Sequence, residues 1–165
     1  MVTEKELPIM IVEDESIIRM QYETVLRKYF PNIILAENGE QAWEIFNSIK
    51  DIAVVVTDIN MPKRDGIWLM NRIEKVNPAT SVIIVSSVTS VSIYSAKETV
   101  AYLPKPVGQM FLVLAVLRSY DLYPQTQWIN RLKDELKKEC SDEKRIWSIV
   151  NDNPWQLSSD TTSDG

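Results

Sequence analysis

Between Pro8 and Tyr120 the chain alternates short apolar runs with segments whose hydrophobic residues recur at helical spacing. Pro8–Val12 is apolar and ends on Glu13, Asp14 and Glu15, as expected of a buried strand feeding a helix whose N-terminus favours acids. Ile18, Tyr22, Val25 and Tyr29 then keep helical register until Pro31 stops the helix. Ile33–Ala36 predicts a second strand, Asn38-Gly39 a turn, and Glu40–Ile49 a second helix carrying Trp43, Phe46 and Ile49 on one face. Ile52–Thr57 is rich in β-branched residues and reads as a strand buried on both faces, delivering Asp58 at its carboxyl end. After the loop Met61–Gly66 comes a helix from Ile67 to about Val76, stopped by Asn77-Pro78. A strand over Val82–Val85 ends in Ser86 and Ser87. A short helix over Ser90–Glu98, a fifth strand over Val100–Leu103, Pro104-Lys105-Pro106 and a helix from Gln109 to about Tyr120 complete the pattern.

Five alternations of strand and helix imply right-handed crossovers and an α/β doubly wound, five-stranded parallel sheet with helices on both faces. The ligand crevice of such a sheet lies beyond the carboxyl ends of its strands. Asp14, Asp58, Ser86 and Lys105 all fall at such ends, on different strands.

Composition narrows the chemistry. With 45 % hydrophobic residues in 165 the chain can bury a real core, and its net charge of −5 argues against a nucleic-acid footprint. The single Cys140 cannot pair within the chain, which fits a reducing, cytoplasmic setting. No signal peptide is read at the N-terminus. The longest apolar run, Met110–Leu117, is too short to span a bilayer, so no membrane association is expected. The chain has no histidine, which removes the usual general base and the chance of serving as its own histidine phosphodonor. Any metal must sit on oxygen ligands, pointing to a hard cation such as Mg²⁺, with Mn²⁺ the alternative.

Each candidate has an ordinary reading: an acidic pair as a helix cap, a serine as a turn residue, a lysine between prolines as a solvated side chain. Asp58 is harder to dismiss, because an acid at the end of a buried apolar run needs compensation. Asp14 and Asp58 would repel one another unless a cation sat between them. A cation there would leave Asp58 as a carboxylate nucleophile able to form an aspartyl phosphate, with Lys105 and the Ser86 hydroxyl addressing the phosphoryl oxygens.

The segments Ile9-Met10-Ile11-Val12-Glu13-Asp14, Ala36-Glu37-Asn38-Gly39, Val54-Val55-Val56-Thr57-Asp58-Ile59-Asn60-Met61-Pro62, Asp65-Gly66, Val82-Ile83-Ile84-Val85-Ser86-Ser87 and Tyr102-Leu103-Pro104-Lys105-Pro106 together resemble the receiver domain of two-component response regulators, chemotaxis-regulator-like. The resemblance implies a flavodoxin-like sheet of strand order 2-1-3-4-5. It further implies Asp58 as phosphoacceptor, with Lys105 and Ser86 assisting, and a metal held by Glu13, Asp14, Asp58 and the backbone carbonyl of Asn60. Ser86 and Tyr102 match the hydroxyl and aromatic of the family's switch. Glu13 stands where the family commonly has aspartate, and the stretch from Ser86 to Lys105 is a few residues short. Implied partners are a histidine kinase or histidine phosphotransfer protein and a downstream protein target.

Met110–Leu117 is apolar all round, so its outer face is expected to be covered, by the chain's own extension or by a second subunit. The resemblance adds a homodimer through the fourth and fifth predicted helices as one form of that cover. Trp128, Ile129, Leu132, Leu136 and Cys140 form one face of a further helix, and Ser141 reads as the N-cap of another through Ile146, Trp147 and Val150. The expected organisation is a receiver over 1–121, a helical extension over 122–150, and a disordered tail over 151–165. Residues 121–165 carry more acids than bases, which argues against DNA binding.

The chain is therefore read as a response regulator acting through phosphorylation-biased protein contacts, not an enzyme beyond self-phosphotransfer and autodephosphorylation. The alternatives are a phosphorylation-independent binding module on the same scaffold and an aspartate-nucleophile phosphohydrolase. The latter class usually has a second aspartate two residues on, where this chain has Asn60.

Overall fold

Three of the apolar runs lack polar alternation because both faces of each strand are covered. The computed structural model describes residues 7–49, 51–88 and 100–139, with side chains as far as residue 124. In it these runs form β1 (Ile9–Val12), β3 (Val54–Asp58) and β4 (Ser81–Ser86), buried along their whole length. The half-buried edges are β2 (Ile33–Ala36) and β5 (Val100–Pro104). All neighbours pair in parallel in the order β2-β1-β3-β4-β5, as the resemblance implies.

The two-residue period of the strands divides the core. Ile9, Ile11, Val54, Val56, Ile83 and Val85 pack with α1 (Ser16–Leu26) and α4 (Gln109–Glu139). Met10, Val12, Val55, Val82 and Ile84 pack with α2 (Gly39–Ser48) and α3 (Gly66–Val76).

Three local expectations change. The helix expected to reach Pro31 ends at Leu26, and the amides of Tyr29 and Phe30 both donate to the Leu26 carbonyl. That tight turn swings Phe30 inward, 5 % exposed and 5.6 Å from the ring of Tyr120, and leaves Tyr29 56 % exposed. Asn38-Gly39 is a helix start rather than a free turn: the Asn38 side chain accepts the Gln41 amide at 2.9 Å, and Gly39 is the first residue of α2.

The third change is in α4, which does not stop near Tyr120 but continues as helix through Pro124. Proline removes one amide and crowds the preceding turn. Here that turn is held from outside: the Tyr120 hydroxyl accepts the Leu7 amide at 2.8 Å, and Tyr123, 1 % exposed, donates its hydroxyl to Asp51 at 3.4 Å. Leu112, Val113 and Val116 of α4 are buried, whereas Met110, Phe111, Leu114 and Leu117 are exposed, and no described residue covers them.

The chain divides into two compact units, Met1–Gln125 and Thr126–Gly165. The first carries the sheet. Of the second, the described residues are helical backbone as far as Glu139. The predicted helix at 90–98, the apolar face from Trp128 to Cys140, the helix opening at Ser141 and the tail at 151–165 lie outside the described residues or side chains. Among the described residues, no helix is long and apolar enough to cross a membrane.

The inward turn after α1 makes a stability contrast that the helical register alone does not. Phe30→Ala should destabilise the protein by about 3–5 kcal/mol, and Tyr29→Ala by under about 0.5 kcal/mol, in urea unfolding followed by circular dichroism.

Candidate functional site

The parallel order brings the carboxyl ends of β1 and β3 side by side, with β5 two strands from β3. Asp58 is the last residue of β3, only 8 % exposed, and Glu13 follows β1 directly, 1 % exposed. Asp14 beside it faces solvent. One carboxylate oxygen from each of Glu13, Asp14 and Asp58 lies within 4.8 Å of the others.

Such a cluster needs a cation, and Lys105 supplies one from beyond the end of β5. Its ammonium donates to Asp58 Oδ2 at 2.7 Å and to Glu13 Oε2 at 3.0 Å. Desolvation disfavours the Lys105 charge, but the hydrogen bonds it donates to Asp58 and Glu13 outweigh this and hold the ammonium above its ordinary pKa. Burial pushes the Glu13 carboxyl up, against the lowering pull of Lys105. The Lys105–Pro106 peptide is cis.

Hydrogen bonds to the backbone aim the acids. The Asn60 amide donates to Asp58 Oδ1 at 3.2 Å, and the Glu15 amide to Glu13 Oε1 at 3.3 Å. Gly66 is required on the far side of the loop: a Cβ there would lie 2.0 Å from the Asp58 carbonyl oxygen, and its amide donates to the Ile59 carbonyl at 2.9 Å. Any side chain at that position would push the loop off Asp58.

Of the residues expected at the site, Glu13, Asp58 and Lys105 meet directly, and Asp14 brings a carboxylate oxygen within 4.8 Å of the other two acids. Ser86, fully buried at the end of β4, accepts the Val88 amide on its Oγ at 3.2 Å, while its carbonyl accepts the Lys105 amide at 2.9 Å. The Tyr102 hydroxyl donates to the Ser86 carbonyl at 3.1 Å and also contacts the Val88 carbonyl. Ser86 and Tyr102 thus meet each other through backbone, one strand away from the acids. Asn60 joins through its amide, and its side chain is exposed.

Arg19 was not singled out in the sequence. Its guanidinium donates to the carbonyls of Glu13 at 2.6 Å and Asp14 at 3.5 Å and pairs with Glu37 at 3.3 Å, with its side chain 13 % exposed. It clamps the turn from which both acids project. A signal existed: a cation near the N-terminus of a helix opposes the helix dipole, so its presence there points to a local acidic demand. Gly66 was visible only as part of a motif, because its role depends on how closely the loop returns to Asp58.

The donor set suits a small hard cation. It is all oxygen, two of its three carboxylates are buried, and the Lys105 ammonium already occupies a cation's position between Glu13 and Asp58.

Comparison with known proteins agrees with this geometry. Residues 9–117 match the family model described as response regulator receiver domain. A cyclic di-GMP phosphodiesterase of Thermotoga maritima is 30 % identical over 140 residues, covering 79 % of this chain and 36 % of that protein. The 3',5'-cyclic-nucleotide phosphodiesterase regA of Dictyostelium discoideum is 29 % identical over 144 residues, 82 % of this chain but 18 % of its own length. The chain therefore spans well under half of these relatives. Among solved structures, a two-component transcriptional regulator AraC from Clostridium phytofermentans superposes with a TM-score of 0.64 at 31 % identity, covering 73 % of this chain and 97 % of that one. With an acidic crevice at the carboxyl edge of a 2-1-3-4-5 sheet and a family match over most of the sheet-bearing unit, the chain belongs to the response regulator receiver domain family of two-component systems.

Proposed function

We propose that this receiver accepts a phosphoryl group on Asp58 from a partner histidine kinase or histidine phosphotransfer protein, in a Mg²⁺-dependent reaction in the cytoplasm. Receiver domains in general are signalling modules that bind Mg²⁺ at an acidic pocket and interact with such histidine-bearing proteins. One observation carries the reading for this chain: a nearly buried Asp58 whose charge is balanced by Lys105, beside two further carboxylates able to hold a divalent cation.

In the proposed reaction an Asp58 carboxylate oxygen bonds to phosphorus as the phosphorus–nitrogen bond of the donor phosphohistidine breaks. The imidazole nitrogen leaves with that electron pair. Asn60 and Lys105 hold the carboxylate in place through its two oxygens. Glu13, Asp14, Asp58 and the Asn60 carbonyl would hold Mg²⁺, with Mn²⁺ as a substitute. When bound, the ion neutralises charge on the phosphoryl oxygens. The Lys105 ammonium would follow those oxygens, and the Ser86 hydroxyl would leave its Val88 amide to donate to them. Tyr102 touches the backbone at both Ser86 and Val88, so that shift would reach the surface beside β5.

The phosphodonor is proposed to dock on α1. Ile17 and Met20 are exposed there, close in sequence to Asp14, and border a cleft of about 390 Å³ also lined by Gln21, Thr24 and Gln109. Output is assigned to protein contacts, for which the exposed Met110, Phe111, Leu114 and Leu117 of α4 offer apolar surface to a downstream protein or a second copy.

Intact mass after treatment with phosphoramidate and Mg²⁺ tests the central claim. One phosphoryl group should be gained, not gained when Mg²⁺ is chelated, and absent in Asp58→Ala; an unchanged wild-type mass would sink the phosphoacceptor reading. Arg19→Ala should weaken Mg²⁺ binding about tenfold, or about 1.4 kcal/mol, in isothermal titration, with partial recovery in Arg19→Lys. Lys105→Met should separate two properties: Mg²⁺ binds more tightly because an internal competitor is gone, while phosphoryl uptake slows in a stopped time course.

A further inference from the structure

A second constellation lies on the opposite side of the sheet from α1. Trp43 of α2 and Trp68 of α3 meet edge to face at 6.4 Å, and Trp43 also stacks on Phe46 at 6.0 Å. The Arg72 guanidinium covers both indoles, 4.5 Å from Trp68 and 5.2 Å from Trp43, and Arg64 lies over Trp68 at 5.2 Å. The indoles are half-buried and the two arginines exposed.

Among the described residues their hydrogen-bonding edges have no acidic partner. Arg19 and Arg27 pair with Glu37 and Glu23, but among the described residues neither Arg64 nor Arg72 makes an ion pair. Lys63 and Lys75 flank them on the same helix and its approach, so the cations outnumber Asp65 and Glu74 along that segment of a chain of net charge −5. A guanidinium already stacked on an aromatic has lost freedom before a ligand arrives, so a carboxylate can bind its N–H fork with little further ordering. Tryptophan and arginine together are also the residues that dominate binding energy in protein contacts. Glu40 and Glu44, exposed on α2, oppose a long polyanion and favour a short segment lying toward α3. The acid nearest Arg64 in sequence, Asp65, is engaged in capping α3 through the Trp68 amide at 2.7 Å.

The edge is also tied to the acidic pocket. Lys63 and Arg64 are consecutive non-glycine residues with φ of 50° and 84°, a conformation that persists only where the surroundings enforce it. Their carbonyls accept the Glu40 and Gly39 amides at 3.1 and 3.2 Å, and a Cβ on Gly39 would lie 2.5 Å from the Arg64 oxygen. The other end of the same loop is held by Asp58, through the Asn60 amide. A change at Asp58 therefore acts on a loop whose far end carries Arg64.

We propose that the α2–α3 edge formed by Trp43, Trp68, Arg64 and Arg72 is a docking surface for a short acidic segment of a partner protein bearing an aromatic residue, and that occupancy of the Asp58 pocket alters its affinity. The second clause rests on the phosphoacceptor reading; the first stands without it. Fluorescence anisotropy of a labelled peptide of glutamates around a central phenylalanine, titrated with the full chain, tests both. The peptide should bind, weaken as salt is raised, and bind about tenfold less well to Arg64→Gln/Arg72→Gln or when its glutamates are replaced by glutamine. Equal binding of the glutamine peptide by wild type would overturn the surface, as would a double variant that melts earlier yet binds unchanged. After phosphoramidate treatment the wild-type affinity should shift about threefold or more, with no shift in Asp58→Ala. An unshifted affinity in protein whose mass records phosphoryl uptake would overturn the coupling. Peptide binding retained without any phosphoryl uptake would instead overturn the phosphoacceptor reading.

Discussion

The arrangement at the carboxyl edge of the sheet depends on one constraint: two nearly buried carboxylates must share a positive charge. Glu13 and Asp58 stand beside each other because β1 and β3 are adjacent, and both are nearly buried. Lys105 meets both at hydrogen-bond distance, which ties β5 to the sheet's centre across β4. Removing one partner from such a group leaves an uncompensated buried charge, so the three residues act as a unit. In the proposed reaction this balance is what a bound cation or a phosphoryl group would alter, by changing which oxygens the ammonium must satisfy.

Around this unit the backbone is held by contacts that carry no chemistry of their own. Arg19 fixes the turn after β1 through two carbonyls, and Gly66 lets the loop after β3 fold back against Asp58. Both leave the acids' side chains free while fixing where they start from. The glutamate at position 13 fits this setting, since its longer side chain reaches Lys105 with one oxygen and the Glu15 amide with the other.

From the pocket, two routes lead outward. One runs along β4 and β5 through the Ser86 backbone to Tyr102. The other runs through the loop after β3, whose left-handed residues are pinned to the start of α2 and whose Arg64 rests on Trp68. Tyr102 and Trp68 both pack on the α2–α3 side of the sheet, one on β5 and the other on α3. The exposed apolar stripe of α4 is a third surface, distinct from both in its lack of charge.

Much of this was legible in the sequence, for a physical reason. A strand buried on both faces must be continuously apolar, so three such runs and two further apolar ones, alternating with helical periodicity, identify a parallel sheet. Polar residues at their carboxyl ends then identify its crevice. Asp14, Asp58, Ser86 and Lys105 could be chosen that way because their positions follow from strand ends alone, whereas Glu13 entered through the family resemblance. Local chemistry misled where tertiary contacts decided. Tyr29 kept the helical register, yet Phe30 took the core because the chain turns at Leu26. The last helix, expected to end near Tyr120, runs on through Pro124, with Tyr120 and Tyr123 anchored to Leu7 and to Asp51 from outside the helix. Arg19, Gly66 and the Trp43–Trp68–Arg72 cluster depend on how closely distant segments approach. Sequence periodicity determines which face each residue presents; only the packed fold determines what that face meets.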